Sequence, residues 1–250
     1  MGSFADLHQR YLLQSSWTAE NRRRLFQQAD LEHASRLLEV GCGTGALTHE
    51  LSALESHSVC GLDIDAEAVS FAHSIDRSSD HLVGDGFRLP FSERTFDIVF
   101  CHYLLLWIAN PVGMLLEMAR VARSSGAILA LAEPDYGGRI DHPETLEELG
   151  RLQAVALANQ GVDIHIGRRL RMLFSQAGLR DVCVGILGGE WRHAPDLSTL
   201  ASEWEMFRDD LAGSLSKKQL AHLEQVDREA WLQGNRILFV PTFYAIGRVG

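Results

Sequence analysis

Leu37-Leu38-Glu39-Val40-Gly41-Cys42-Gly43-Thr44-Gly45 is the stretch on which the reading of this chain turns. A short apolar run breaks off into alternating glycines, as a buried parallel strand does before a tight turn. Glycines there let a ligand approach the backbone with no side chain in the way. The same unit repeats downstream. Residues 44–53 read as a helix, 58–62 as a strand, and 66–74 as a helix that Asp65 caps. Strands follow at 81–83, 96–101 and 127–132, with a helix over 112–122 between the last two. Strands alternating with helices imply right-handed crossovers and a doubly wound, parallel α/β sheet.

Composition narrows the class. The 250 residues are 46% hydrophobic and 22% charged, which suits one large α/β domain with additions. With 23 basic and 33 acidic residues the net charge is −10, which argues against nucleic acid, whose binders carry a basic stripe. Cys42, Cys60, Cys101 and Cys183 show no metal-ligand spacing, and three of them fall in strands, where a thiol packs as a small hydrophobe. No metal is expected. The N-terminus has no basic-then-apolar signal pattern and no apolar run reaches about 18 residues, so a cytoplasmic protein without a membrane partner, monomer or homodimer, is expected.

The glycines alone are ambiguous, because Gly41, Gly43 and Ala46 also satisfy a dinucleotide pattern. Three acids break the tie. Glu39, two residues before the first glycine, is unwelcome beside a pyrophosphate and welcome beside a sulfonium or ammonium. Asp63 ends the second strand 20 residues past Gly43, where a carboxylate accepts from ribose hydroxyls. Asp85 follows the third strand, where one accepts from an adenine amine. All three sit at carboxyl ends of successive strands, the ligand-binding edge of an open α/β sheet.

On these residues the chain resembles the class I S-adenosylmethionine-dependent methyltransferases, in particular the small-molecule branch of the ubiquinone and menaquinone enzymes. LLEVGCGTG at 37–45 is similar to that family's first motif, GLDID at 61–65 to its ribose motif and GDGFRLPF at 84–91 to its adenine motif. Residues 96–111 and 126–135 resemble its fourth and fifth strand segments. The resemblance implies a Rossmann-like seven-stranded sheet, mostly parallel, whose last strand is antiparallel and supplied by 239–249. It implies S-adenosylmethionine as cofactor, held by Glu39, Gly41, Cys42, Gly43, Gly45, Asp63, Ile64, Asp85, Gly86, Phe87 and His102. The expected division is an N-terminal helical arm at 1–35 and a methyltransferase domain at 36–250, with lid insertions near 136–166 and 190–235.

Methyl transfer from a sulfonium needs alignment and exclusion of water more than a dedicated base. His102 and Tyr103 after the fourth strand, and Glu133, Asp135 and Tyr136 after the fifth, are placed to face the sulfonium. His102 is the first choice as base or substrate-orienting group because imidazole titrates near neutrality; Tyr103 stands beside it, and Glu133 is a candidate for catalysis or for holding the lid. Tyr11 and Trp17 in the arm are candidates for closing over the cofactor, and Trp107 for packing on adenosine. His142 and His165 are lesser candidates, and Arg139, Arg168 and Arg169 would suit an anionic acceptor. Trp191, Trp204, Phe207 and Trp231 in the insertions favour a small, partly apolar acceptor. Rival readings are a cofactor-binding cyclase or regulatory module on the same fold, and a nicotinamide-dependent oxidoreductase.

Overall fold

The computed structural model describes residues 3–54, 56–189 and 195–250. Seven strands form the main sheet: β1 (Arg36–Val40), β2 (Ser58–Asp63), β3 (Asp80–Val83), β4 (Phe96–Cys101), β5 (Ala122–Pro134), β7 (Arg180–Leu187) and β9 (Thr242–Arg248). Their order is β3-β2-β1-β4-β5-β9-β7. The first five run parallel, and β9 lies antiparallel between β5 and β7. The strand order reverses beside β1, so the carboxyl ends of β1 and β4 flank the topological switch point.

Strand periodicity sorts the core. Leu37, Ile98, Phe100, Leu129 and Leu131 face one side of the sheet, and Leu38, Val40, Val99, Cys101 and Ile128 face the other. Burying each such Leu, Ile or Phe is worth roughly 1.5–3 kcal/mol, so a one-residue slip of β1 or β4 would forfeit several of these at once. On the first face pack α1 (Phe4–Gln28), through Leu25 and Phe26, and α2 (Ala46–Ser52), through Leu47 and Leu51. The Phe26 ring meets Phe100 edge-on at 5.3 Å, so the N-terminal helix is docked on the sheet. On the other face pack α4 (Pro111–Val121) and α6 (Ile166–Gln176), with Met114, Leu115, Leu170 and Phe174 buried; α3 (Ala66–Ile75) serves β2 and β3.

The expected closing strand over 239–249 is two strands in two sheets. β8 (Ile237–Phe239) pairs antiparallel with β6 (Ile140–His142), and only β9 joins the main sheet. Pro241 marks the break because it has no amide to donate to either ladder. The small sheet belongs to a helical cap with α5 (Glu147–Asn159), α7 (Leu197–Asp210) and α8 (Lys217–Leu232). Leu146, Leu149, Trp204, Phe207, Leu211 and Leu220 form its own apolar core. Trp204 and Phe207 are therefore cap-core residues, with the indole N–H donating to Asp227 at 2.9 Å, and do not line a cleft as the sequence reading expects. Trp231 is half-buried on α8, and Trp191 lies outside the described residues.

Candidate active site

The turn between β1 and α2 is built on left-handed glycines, with φ of +76° at Gly41 and +50° at Gly43. Gly41 N–H and Cys42 N–H both donate to Leu62 O, at 2.8 and 3.1 Å, which ties the turn to the end of β2. Gly43 N–H donates to Asp63 Oδ2 at 2.7 Å, and Asp65 N–H to Asp63 Oδ1 at 2.9 Å. Asp63 is thus aimed by the two backbones it joins, with lone pairs left for a further donor. A Cβ at Gly43 would lie 3.0 Å from the Tyr11 ring, so α1 roofs the turn at this residue. Cys42 contributes backbone only, since its buried Sγ packs toward Gly61.

Glu39 is 3% exposed, accepts from the Thr48 hydroxyl at 2.5 Å, and is pushed up to about 8 by burial, which outweighs that hydrogen bond. Asp85 is exposed and accepts from Phe87 N–H at 2.9 Å, shaping its own turn. Gly86 lets that turn sit on the core, because a Cβ there would meet Met114 Sδ at 2.7 Å. Beside these acids two large apolar side chains stand in solvent, Ile64 at 75% exposure and Phe87 at 41%. Exposed hydrophobes next to carboxylates at strand tips suit a ligand with a flat apolar face and a polar edge. A glycine turn, a braced ribose-type carboxylate and an apolar platform fit an adenosine group.

At the ends of β4 and β5 the geometry departs from the sequence reading. His102 Nε2 lies 3.1 Å from Thr18 Oγ1 on α1. Burial, with the Arg22 charge behind it, pushes the imidazole down to about 3. His102 therefore stays neutral near neutrality and lacks the titration that makes it the first-choice base. Tyr103 holds a left-handed φ of +52°, an uncommon conformation for a bulky residue, and burial raises its phenol. Glu133 lies within β5, not after it, and is fully buried. Its Oε1 accepts from Leu104 N–H and Leu105 N–H at 3.1 and 2.9 Å, and its Oε2 from Leu106 N–H at 3.1 Å. That carboxyl caps the helical turn at Leu105–Trp107 and so holds the loop that carries His102 and Tyr103.

Other candidates are absorbed by partners. Asp135 is buried and bonded to the Arg168 guanidinium, at 2.8 Å through Nη2, with His165 Nδ1 at 3.4 Å. Arg169 pairs with Asp163, and Arg139 is paired bidentately with Asp141 at 2.6 and 3.0 Å. Each of the three arginines is thus paired with a carboxylate, Arg139 buried and Arg168 and Arg169 about half-exposed. His142 is exposed on β6, and Trp17 and Trp107 are half-exposed. One group that sequence reasoning missed is Arg22, 2% exposed. It donates to Thr18 Oγ1 and Glu50 Oε2, both at 2.5 Å, and to Ser15 O. Its place in the run Arg22-Arg23-Arg24 reads as a solvated patch; only the apolar Leu25 and Phe26 beside it signal a docked face.

The family described as Methyltransferase domain matches residues 38–130. A demethylmenaquinone methyltransferase of Shouchella clausii is 30% identical over 191 residues, which cover 65% of this chain and 78% of that protein. The chain belongs to the class I S-adenosylmethionine-dependent methyltransferases. The match to the Corynebacterium urealyticum demethylmenaquinone methyltransferase, 35% identical, spans 47% of each chain. Among solved structures, a candidate methyltransferase of Bacillus halodurans superposes with a TM-score of 0.59 at 15% identity, over 90% of this chain and 97% of that one. The geranyl diphosphate C-methyltransferase of Streptomyces coelicolor does so with 0.54 at 16% identity, over 86% and 70%. At such identities these two are likenesses of fold. Among the described residues no helix is long and apolar enough to cross a membrane.

Proposed function

We propose that this chain transfers the methyl group of S-adenosylmethionine to a small, partly apolar molecule held between the ends of β4 and β5 and the helical cap. The observation that carries this is the brace at Asp63, which one backbone amide of the glycine turn and one of its own turn aim at a single point beside the exposed Ile64. Asp63 takes the ribose hydroxyls, Asp85 the adenine amine, and Ile64 and Phe87 the faces of the base. Glu39 and the backbone of Gly41–Gly45 take the methionyl end. S-adenosylmethionine supplies an electrophilic methyl on a sulfonium; the protein aligns the acceptor and keeps water out. Tyr103 and Tyr136, partly buried against the sheet core, give the acceptor apolar walls. The acceptor named for the Shouchella relative, a demethylmenaquinone, is of that kind.

The test pairs calorimetry of S-adenosylmethionine and S-adenosylhomocysteine with transfer of radiolabelled methyl to hydroquinones, phenols, carboxylic acids and amines. Binding of both, with label in at least one acceptor class, is expected. Tight binding with no label in any class would make the chain a cofactor-binding module instead. Binding of neither would overturn the reading at its root.

Glu39 adds a proton-linked signature. A carboxyl raised to about 8 is mostly protonated at pH 7, and an incoming cation favours its ionised form. Binding of S-adenosylmethionine at pH 7 is expected to release up to about one proton, visible as a binding enthalpy that varies with buffer ionisation enthalpy. Glu39→Gln should abolish that dependence.

A further inference from the structure

Asp210 is the last residue of α7, and through Gln153 and Arg139 its carboxylate is tied to the turn that follows β5. The Arg10 charge on α1 reaches Asp210 and favours its ionised form. Asp210 also acts on Tyr136, which follows β5, and Tyr136 in turn acts on Tyr103. The hydrogen bonds through Gln153 and Arg139 thus hold the carboxylate near the segment that follows β5.

A chain of fixed donors holds it there. Gln153 Nε2 donates to Asp210 Oδ2 at 2.8 Å, and Gln153 is 3% exposed. The direction of that amide is not free. Gln153 Oε1 accepts from Arg139 Nη1, and a guanidinium can only donate, so Nε2 is the end left for Asp210. Arg139 is locked by Asp141, and Asp141 Oδ1 also takes Arg236 Nη2 at 2.8 Å. Arg236 Nε in turn donates to Asp227 Oδ1 at 2.6 Å, which fastens the chain to α8. Gly150 makes room for the pair on α5, where a Cβ would lie 2.2 Å from Asp141 Oδ2. All of this converges on one oxygen of Asp210. Its Oδ1 has no hydrogen bond among the described residues. Burial lifts the carboxyl above the ordinary carboxylate range, which strengthens it as a proton acceptor.

We infer that Asp210 is the acceptor-facing base of the transfer and that Gln153 is the residue that positions it, an inference that rests on the function proposed above. The acceptor's nucleophilic atom gives an electron pair to the methyl carbon, and sulfur keeps the pair of the bond that breaks. The acceptor's proton goes to Asp210 Oδ1. Acceptors are then molecules that must lose a proton as they are methylated, such as a phenol, a hydroquinone or an amine N–H.

The decisive experiment needs no acceptor. Sinefungin carries a cationic amine at the place of the methyl-bearing centre, while S-adenosylhomocysteine carries nothing there. Calorimetry on the wild-type chain and on Asp210→Asn reads the ratio of the two affinities. A carboxylate facing the methyl position attracts that cation, so Asp210→Asn should weaken sinefungin about tenfold and leave S-adenosylhomocysteine within about twofold. Asp210→Glu should keep most of the ratio, and Gln153→Leu should lose about half of it on a logarithmic scale. A ratio unchanged in Asp210→Asn overturns the inference, as does a parallel loss of both ligands. If the wild-type chain binds neither ligand, the proposed function falls first, which is a different result.

Discussion

Asp63→Ala is expected to weaken S-adenosylmethionine and S-adenosylhomocysteine alike by about a hundredfold or more in calorimetry. A hydrogen bond to a charged acceptor contributes about 1.5–3 kcal/mol, and the substitution would remove the two proposed to the ribose. It also frees Gly43 N–H, which now donates to Asp63 Oδ2 at 2.7 Å, so the turn itself loses a brace. Asp63→Asn should cost nearly as much, because an amide nitrogen facing the Gly43 or Asp65 N–H sets donor against donor. Asp85→Ala is the internal comparison. Its side chain is exposed and shapes only its own turn, so a loss of about tenfold is expected. If Asp63→Ala binds within threefold of the wild-type chain, the strand-tip picture of cofactor binding is wrong.

The strand tips and the glycine turn behind that picture are legible in the sequence because they are local or periodic. A strand's alternation fixes which residues end at its tip, and the glycines announce the turn. What fails to be legible depends on partners far along the chain. Glu133 reads as a loop acid near the chemistry, since nothing within ten residues reveals that its acceptors are spent on Leu104, Leu105 and Leu106. His102 reads as a titrating base because its burial against α1, 84 residues earlier, has no local signature. Asp210 carries no local signal at all, because the Gln153 that holds it lies 57 residues away. Trp204 and Phe207 mark an apolar face correctly, but helical spacing cannot say whether that face meets a ligand or the next helix.

Glu133 gives the largest stability effect expected here. Glu133→Ala should destabilise the fold by about 3–5 kcal/mol in urea unfolding, because three buried amides lose their acceptor and a cavity opens behind them. Two forces compete over its proton. Three backbone donors favour the ionised form, full burial favours the neutral one, and burial wins, pushing the carboxyl up to about 7. Below its ordinary value of 4.5 both folded and unfolded chains hold the proton, so the group adds no pH dependence there. Between 4.5 and about 7 the unfolded chain releases the proton while the folded one keeps it, so stability falls as pH rises through that window and levels above it. Glu133→Gln cannot ionise and should flatten this slope while costing about 1–3 kcal/mol, since its amide nitrogen cannot accept from Leu104, Leu105 or Leu106. The same two variants separate structure from chemistry. A residue that only holds the loop of His102 and Tyr103 lowers the unfolding midpoint in step with activity. A variant that unfolds like the wild-type chain yet no longer transfers methyl would return Glu133 to the reaction itself.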